Sequence, residues 1–208
     1  MPSKHSSPVP ARAAPGRPRS EEARRTVLEA AHALFDSGGL QAATIEAIAA
    51  RAGVAKTTIY RRWPNRASLL VDLLVEIATA QAPAPSVGKA PMRALSTELR
   101  TAAIAVNGIA GRLMASLVGE AQQDADVRTA LLEGLFYART EATAKVVAQA
   151  QSAGLIRADV PPRLIVDMLI GPLIYRLLVQ HELVTERFAK QVFDTALDGL
   201  RPLRRARR

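Results

Sequence analysis

Apolar residues in this chain recur at steps of three and four, and no stretch alternates residue by residue as a strand would. Val27, Ala30, Ala31 and Leu34 lie on one face of a first helix, with Leu28 and Phe35 on the adjoining row. Ser20 is placed to cap that helix, with Glu21 and Glu22 near the positive end of its dipole, and Gly38-Gly39 stops it. Thr44 opens a second, short helix through Ile45, Ile48, Ala49 and Ala52, which ends at Gly53. A third starts near Ala55 and reaches only about Arg62, because Pro64 disfavours helical backbone at Trp63. Asn65 then caps a fourth, apolar at Leu69, Leu70, Leu73, Leu74 and Ile77, until the run APAPS at 82–86 interrupts it.

The remainder also reads as helix, over 91–106, 109–122, 126–152, 162–181 and 186–200, with turns at Gly108, Asp124 and Gly154. Pro161-Pro162 suits a helix start, and Gly171-Pro172 predicts a kink inside one. The expected fold is therefore all-α. It divides into an arm (1–19), a compact N-terminal unit (20–66), a larger helical unit (67–200) and a tail (201–208).

Charge changes this picture by its distribution. Residues 1–70 carry 11 Lys and Arg against 5 Asp and Glu, residues 71–200 carry 12 against 14, and residues 201–208 carry 5 against none. A neutral body with basic ends implies an anionic partner, either nucleic acid or an acidic membrane surface. The chain has no cysteine, which fits a reducing compartment. The N-terminus lacks the apolar run of a signal peptide, and the most apolar segment, LIVDMLIGPLIYRLLV, contains Asp167 and Arg176. A soluble, cytoplasmic protein with no membrane span is expected.

The stretch VAKTTIYRRWPNR, residues 54–66, decides between the anionic partners. Two helices that cross closely in a helix-turn-helix need a small residue on the first, a turn residue tolerant of positive φ, and an apolar lock on the second. Ala49, Gly53 and Ile59 supply these at spacings of four and six. Such a unit offers the start of its second helix to the DNA major groove. Lys56, Thr57 and Thr58 lie on that turn and carry the donors and methyl groups that read base edges, whereas Tyr60, Arg61, Arg62 and Arg66 suit flanking phosphates. Arg17 and Arg19 flank Pro18 in PGRPR; such an arm either lays arginines into a narrow minor groove or is simply solvated. The C-terminal RPLRRARR reads as a solubilising tail, with contact to phosphates or acidic lipid as the alternative.

The segment TIEAIAARAGVAKTTIYRRWPNRASLL resembles the DNA-binding segment of the TetR family of transcriptional regulators, over about residues 20–70. Thr44, AGVAKTTIY, the aromatic Trp63, and Arg66 followed by Leu69-Leu70 all fall in register, although Ala55 stands where many relatives have a capping serine. The resemblance implies a homodimer that binds a double-stranded DNA operator and is released by a small-molecule effector. It also implies that Thr44, Lys56, Thr57, Thr58, Tyr60 and Arg66 touch DNA.

Two further expectations concern the body. The segment 162–181 is apolar nearly all round, and the last helix carries a stripe at helical spacing. Leu169, Leu173, Leu177, Val192, Phe193, Ala196 and Leu197 are expected to form half of an intermolecular four-helix bundle. Leu99, Leu113, Met114, Leu117, Phe136, Tyr137, Met168 and Tyr175 are expected either to line an effector pocket or to be ordinary core. No cofactor, metal site or catalysis is expected: G-x-S-x-G, H-E-x-x-H, phosphate-loop and dinucleotide fingerprints are all missing, and His5, His32 and His181 are scattered. The rival reading is a basic helical protein that binds anionic membranes without reading DNA sequence.

Overall fold

A computed structural model describes residues 17–202, with only the backbone of residues 17–19. All its regular elements are helical: α1 (Arg17–Ala42), α2 (Ile45–Ala52), α3 (Lys56–Tyr60), α4 (Arg66–Gln81), α5 (Pro91–Ala105), α6 (Ile109–Ala121), α7 (Ala125–Leu131), α8 (Tyr137–Ser152), α9 (Pro162–Val179) and α10 (Glu186–Gly199). The caps are local chemistry. The Ala47 amide donates to Thr44 Oγ1 at 3.2 Å, Asn65 and Ser68 form a reciprocal capping box on α4, and Asp124 and Thr185 cap α7 and α10. Gly38 and Gly39 leave helical geometry, so the last residues of α1 form a separate turn after the expected stop.

Two departures from the sequence pattern have physical causes. The first helix begins at Arg17, so Ser20 lies within it and Arg17 and Arg19 belong to its opening turn rather than to an extended arm. Proline is tolerated in that turn because the amides there have no intrahelical acceptor. The predicted helix over 126–152 is two helices joined by a π-turn at Leu132–Phe136, a widening that side-chain periodicity does not announce. Helix α9 continues through Pro172 as one element. The rest of the arm (1–16) and tail (203–208) lie outside the described residues.

Two apolar clusters hold the molecule. The first joins α1–α4 to α6 and α7 through Leu28, Ile48, Ile59, Leu70, Leu74, Leu117 and Leu131. The second packs α5, α8, α9 and α10 around Leu95, Leu99, Val147, Leu169, Leu173 and Phe193. Burial of one large aliphatic side chain is worth about 1.5–3 kcal/mol, so both clusters are substantial. Helix α6 serves the first cluster with Leu113 and Leu117, while its own first turn approaches α5 so closely that a Cβ on Gly111 would collide with the Val106 carbonyl. No single helix among the described residues is long and apolar enough to cross a membrane.

Candidate DNA interface and internal cavity

The turn between α2 and α3 shows why those residue types stand there. Gly53 adopts φ 65°, ψ 31°, a left-handed conformation that a β-carbon disfavours, and the Val54 amide donates to the Ala49 carbonyl at 3.1 Å. Ile59 is fully buried beneath the pair. Lys56, Thr57, Tyr60, Arg61 and Arg62 are left on the outer surface, with Thr58 half-buried. Ala55 provides no side-chain cap, as its departure from the family pattern implies. Lys56 Nζ donates to Glu46 Oε1 at 2.6 Å, and that ammonium holds the Glu46 carboxyl below its ordinary range. Thr44 is half-buried, its oxygen engaged in the α2 cap.

A polar junction behind α3 orients it. Trp63 is only 5% exposed, and its Nε1 donates to Asp72 Oδ2 at 3.0 Å. Arg24 grips the same carboxylate from α1 through Nε at 3.2 Å and Nη2 at 2.7 Å, and donates from Nη1 to Glu76 at 2.7 Å. Arg62 lies over the Trp63 ring and donates to Glu21 at 3.1 Å. Neither Arg24 nor Asp72 stands out in the sequence. Their partners lie 48 positions apart along the chain, beyond any local pattern.

Arg66 is placed differently from its expected role at a phosphate. Its Nη1 donates to the Leu40 carbonyl at 3.0 Å and its Nη2 to Glu120 Oε1 on α6. The side chain therefore pins the end of α1 to α6, and Arg112 makes a parallel link from α6 to Asp36. Arg51, exposed on the last turn of α2, was not singled out by the helix-turn-helix spacing.

A cavity of about 300 Å³ opens in the larger unit. Its size follows from small wall residues, Ala78 and Ala82 on α4, Ala102 and Ala105 on α5, and Ala110 and Gly111 on α6. Of the residues expected to line it, Met114 and Phe136 do so. Leu99, Leu113 and Leu117 instead fill the two cores, while Tyr137, Met168 and Tyr175 face outward. Polar side chains also line it: Thr140, Asp167, and a cluster of Glu98, Thr143 and Arg139. Glu98 is 2% exposed, accepts from the Thr143 hydroxyl at 2.9 and 3.1 Å, and lies 3.5 Å from Arg139 Nη2. Helical periodicity had no means of showing Glu98, Arg139 and Thr143 as neighbours.

The expected dimer residues are also redistributed. Leu169, Leu173, Leu177, Phe193 and Ala196 are buried within one chain, and Val192 and Leu197 pack partly against the same cluster. The opposite side of α9 carries Leu164, Met168, Gly171, Tyr175 and Leu178, at alternating steps of four and three, all exposed. The segment is apolar all round because one side meets its own chain and the other is uncovered.

A helix-turn-helix with a basic outer face, carried on a helical body with a small-molecule-sized cavity, defines a DNA-binding regulator rather than an enzyme. Comparison with known proteins gives the family. Residues 27–73 match the model of bacterial regulatory proteins of the tetR family, and residues 91–196 match the tetracyclin repressor-like C-terminal domain. The chain belongs to the TetR family of transcriptional regulators. It is 28% identical to the uncharacterized HTH-type transcriptional regulator YdeS of Bacillus subtilis (strain 168) over 185 residues, 89% of this chain and 93% of that protein. Over 54 residues, 26% of each chain, it is 43% identical to the HTH-type transcriptional repressor KstR of Rhodococcus jostii (strain RHA1). The crystal structure of the TetR family transcription regulator SCO0332 superposes with a TM-score of 0.73 at 32% identity, covering 87% of this chain and all of that one.

Proposed function

We propose that this regulator is a homodimeric repressor that reads a palindromic operator with α3 and is released by a small molecule bound in the cavity. The observation that carries the reading is the position of α4 and α6. Each helix has one end at the cavity, through Ala78 and Ala82 or through Ala110, Gly111 and Met114. Further along, each contacts the DNA-binding unit, through Asp72 on α4 or, at the far end of α6, through Glu120. A molecule that wedges these helices apart displaces both supports of α3 together. It releases DNA only if it binds the displaced state better than the DNA-bound one.

In this reading Lys56, Thr57 and Thr58 reach base edges, and Thr44, Arg51, Tyr60, Arg61 and Arg62 meet phosphates. Arg17 and Arg19, whose side chains lie outside the described residues, are assigned to flanking DNA. The second copy covers the outer stripe of α9, and two-fold symmetry then requires two half-sites.

Selection from a random double-stranded DNA pool, followed by salt titration of the enriched sequence, tests the proposal. An enriched palindrome is expected. Charge-driven binding without any enriched sequence overturns it, since phosphate contact alone produces salt dependence.

A further inference from the structure

Between Thr44 and Arg66 the helix-turn-helix carries five Lys and Arg and a single acidic residue, Glu46. That carboxylate stands on the side assigned to DNA. It belongs to the first turn of α2, and its Oε1 accepts from Lys56 Nζ, the group assigned to base edges, at 2.6 Å. Both side chains are exposed, Lys56 at 51% and Glu46 at 63%. The hydrogen bond from Lys56 holds the Glu46 carboxyl below its ordinary range, so both groups are charged at neutral pH. An exposed ion pair contributes little to stability, and Thr44 already caps α2. Wherever Lys56 meets DNA, however, the Glu46 carboxylate meets it too.

We infer that Glu46 is a specificity-determining residue: together with Lys56 it reads one G·C base pair, Lys56 donating to guanine O6 or N7 and Glu46 accepting from the cytosine N4 amino group. The inference rests on the reading of α3 as the element that enters the major groove. The DNA backbone offers no hydrogen-bond donor, so it repels a carboxylate whatever the sequence. In the major groove only the amino groups of cytosine and adenine satisfy one. Glu46 therefore weakens binding to DNA in general and restores it at a matching base, which is how a repulsive group yields specificity. The spacing selects the match. Guanine O6 and cytosine N4 are hydrogen-bonded to each other, so they present an acceptor and a donor about 2.9 Å apart. Lys56 Nζ and Glu46 Oε1 present a donor and an acceptor 2.6 Å apart, and the two sets interlock. A base pair in the reversed order sets like against like. An A·T pair gives the ammonium a single thymine oxygen in place of the two guanine acceptors and sets the thymine methyl group beside the charges.

The test uses the full chain and the operator enriched from the random pool. Affinities are measured for that operator, for each of its single-pair substitutions and for scrambled DNA, with the unaltered protein, Lys56→Ala and Glu46→Ala. Each half-site is expected to contain one G·C pair whose replacement weakens the unaltered protein about tenfold or more, and whose preference is lost in both variants. Glu46→Ala is also expected to bind scrambled DNA severalfold more tightly, with a salt slope steeper by about one, because Lys56 is freed for a phosphate. A carboxylate that served only the dipole of α2 would change the thermal midpoint on removal and leave every affinity ratio as it was, which overturns the inference. So does a gain in affinity equal for the operator and all substituted sites, or a lost preference that falls on an A·T pair. Loss of a preference in Lys56→Ala alone overturns it while keeping α3 as the reading element. If the unaltered protein enriches no sequence, the reading of α3 fails and the inference with it.

Discussion

Lys56 and Arg66 are both basic residues of the helix-turn-helix segment, yet their surroundings assign them opposite work. Lys56 is exposed and paired with Glu46, an exposed contact that DNA can replace at little cost. Lys56→Ala is expected to weaken operator binding and relax its sequence preference, read from affinities for the selected and scrambled sites. Arg66 is engaged by Leu40 and Glu120, and the Glu120 Oε2 oxygen is buried with no other partner. Arg66→Ala should therefore leave the salt dependence of binding nearly unchanged but lower the unfolding free energy by about 1–3 kcal/mol, the cost of leaving a buried polar group without its partner. Denaturant titration beside the salt titration separates the two effects.

Glu98 makes a pH prediction at the same scale. Its carboxyl is raised above the ordinary 4.5 chiefly by burial. Between the unfolded and folded values the native state holds the proton more strongly, so the stability this proton contributes is lost as pH rises through the folded value. The unfolding free energy of the unaltered protein should fall relative to that of Glu98→Gln as pH increases from about 4.5, in paired denaturant titrations. A difference that does not vary with pH would place Glu98 in contact with water.

At the scale of elements, α3 is a five-residue helix without a side-chain cap, too short to be stable alone. Its form comes from Ile59 beneath it, the left-handed Gly53 before it and the Trp63–Asp72–Arg24 junction behind it. Helix α9 has the opposite character, being apolar on two sides with only one side met by its own chain. Tyr175 is 60% exposed on the uncovered side and Met168 41%. If a second copy covers that side as proposed, Met168→Glu is expected to give a folded monomer, seen as a halved mass in light scattering with an unchanged helical circular dichroism signal. Leu173→Glu, on the buried side, is expected instead to lose the fold, because an unpaired charge in a packed core costs several kcal/mol.

At the scale of the whole molecule, α4 and α6 touch both the cavity and the helix-turn-helix unit, so under the proposed reading filling the cavity should separate the two functions. Ala102→Phe is expected to keep operator affinity within about twofold while abolishing release by any effector that acts in the cavity, since the substitution lies far from α3 and occupies the ligand's volume. Fluorescence anisotropy of labelled operator, with and without ligand, reads both quantities.

The sequence by itself determined the elements and the DNA-reading unit. Helical periodicity, the caps at Thr44 and Asn65, and the Ala49–Gly53–Ile59 spacing are local features, encoded within a few residues and enforced by backbone geometry and adjacent hydrogen bonds. Tertiary structure alone decided which side of an apolar helix is covered and by what. Leu169, Leu173 and Leu177 went inward and Leu164, Met168 and Tyr175 outward, a choice that periodicity leaves open on a helix apolar all round. It also brought Arg66 to Glu120, 54 positions away, and Glu98 to Thr143, 45 positions away. Such contacts depend on how helices pack in space, and no local rule of the chain specifies them.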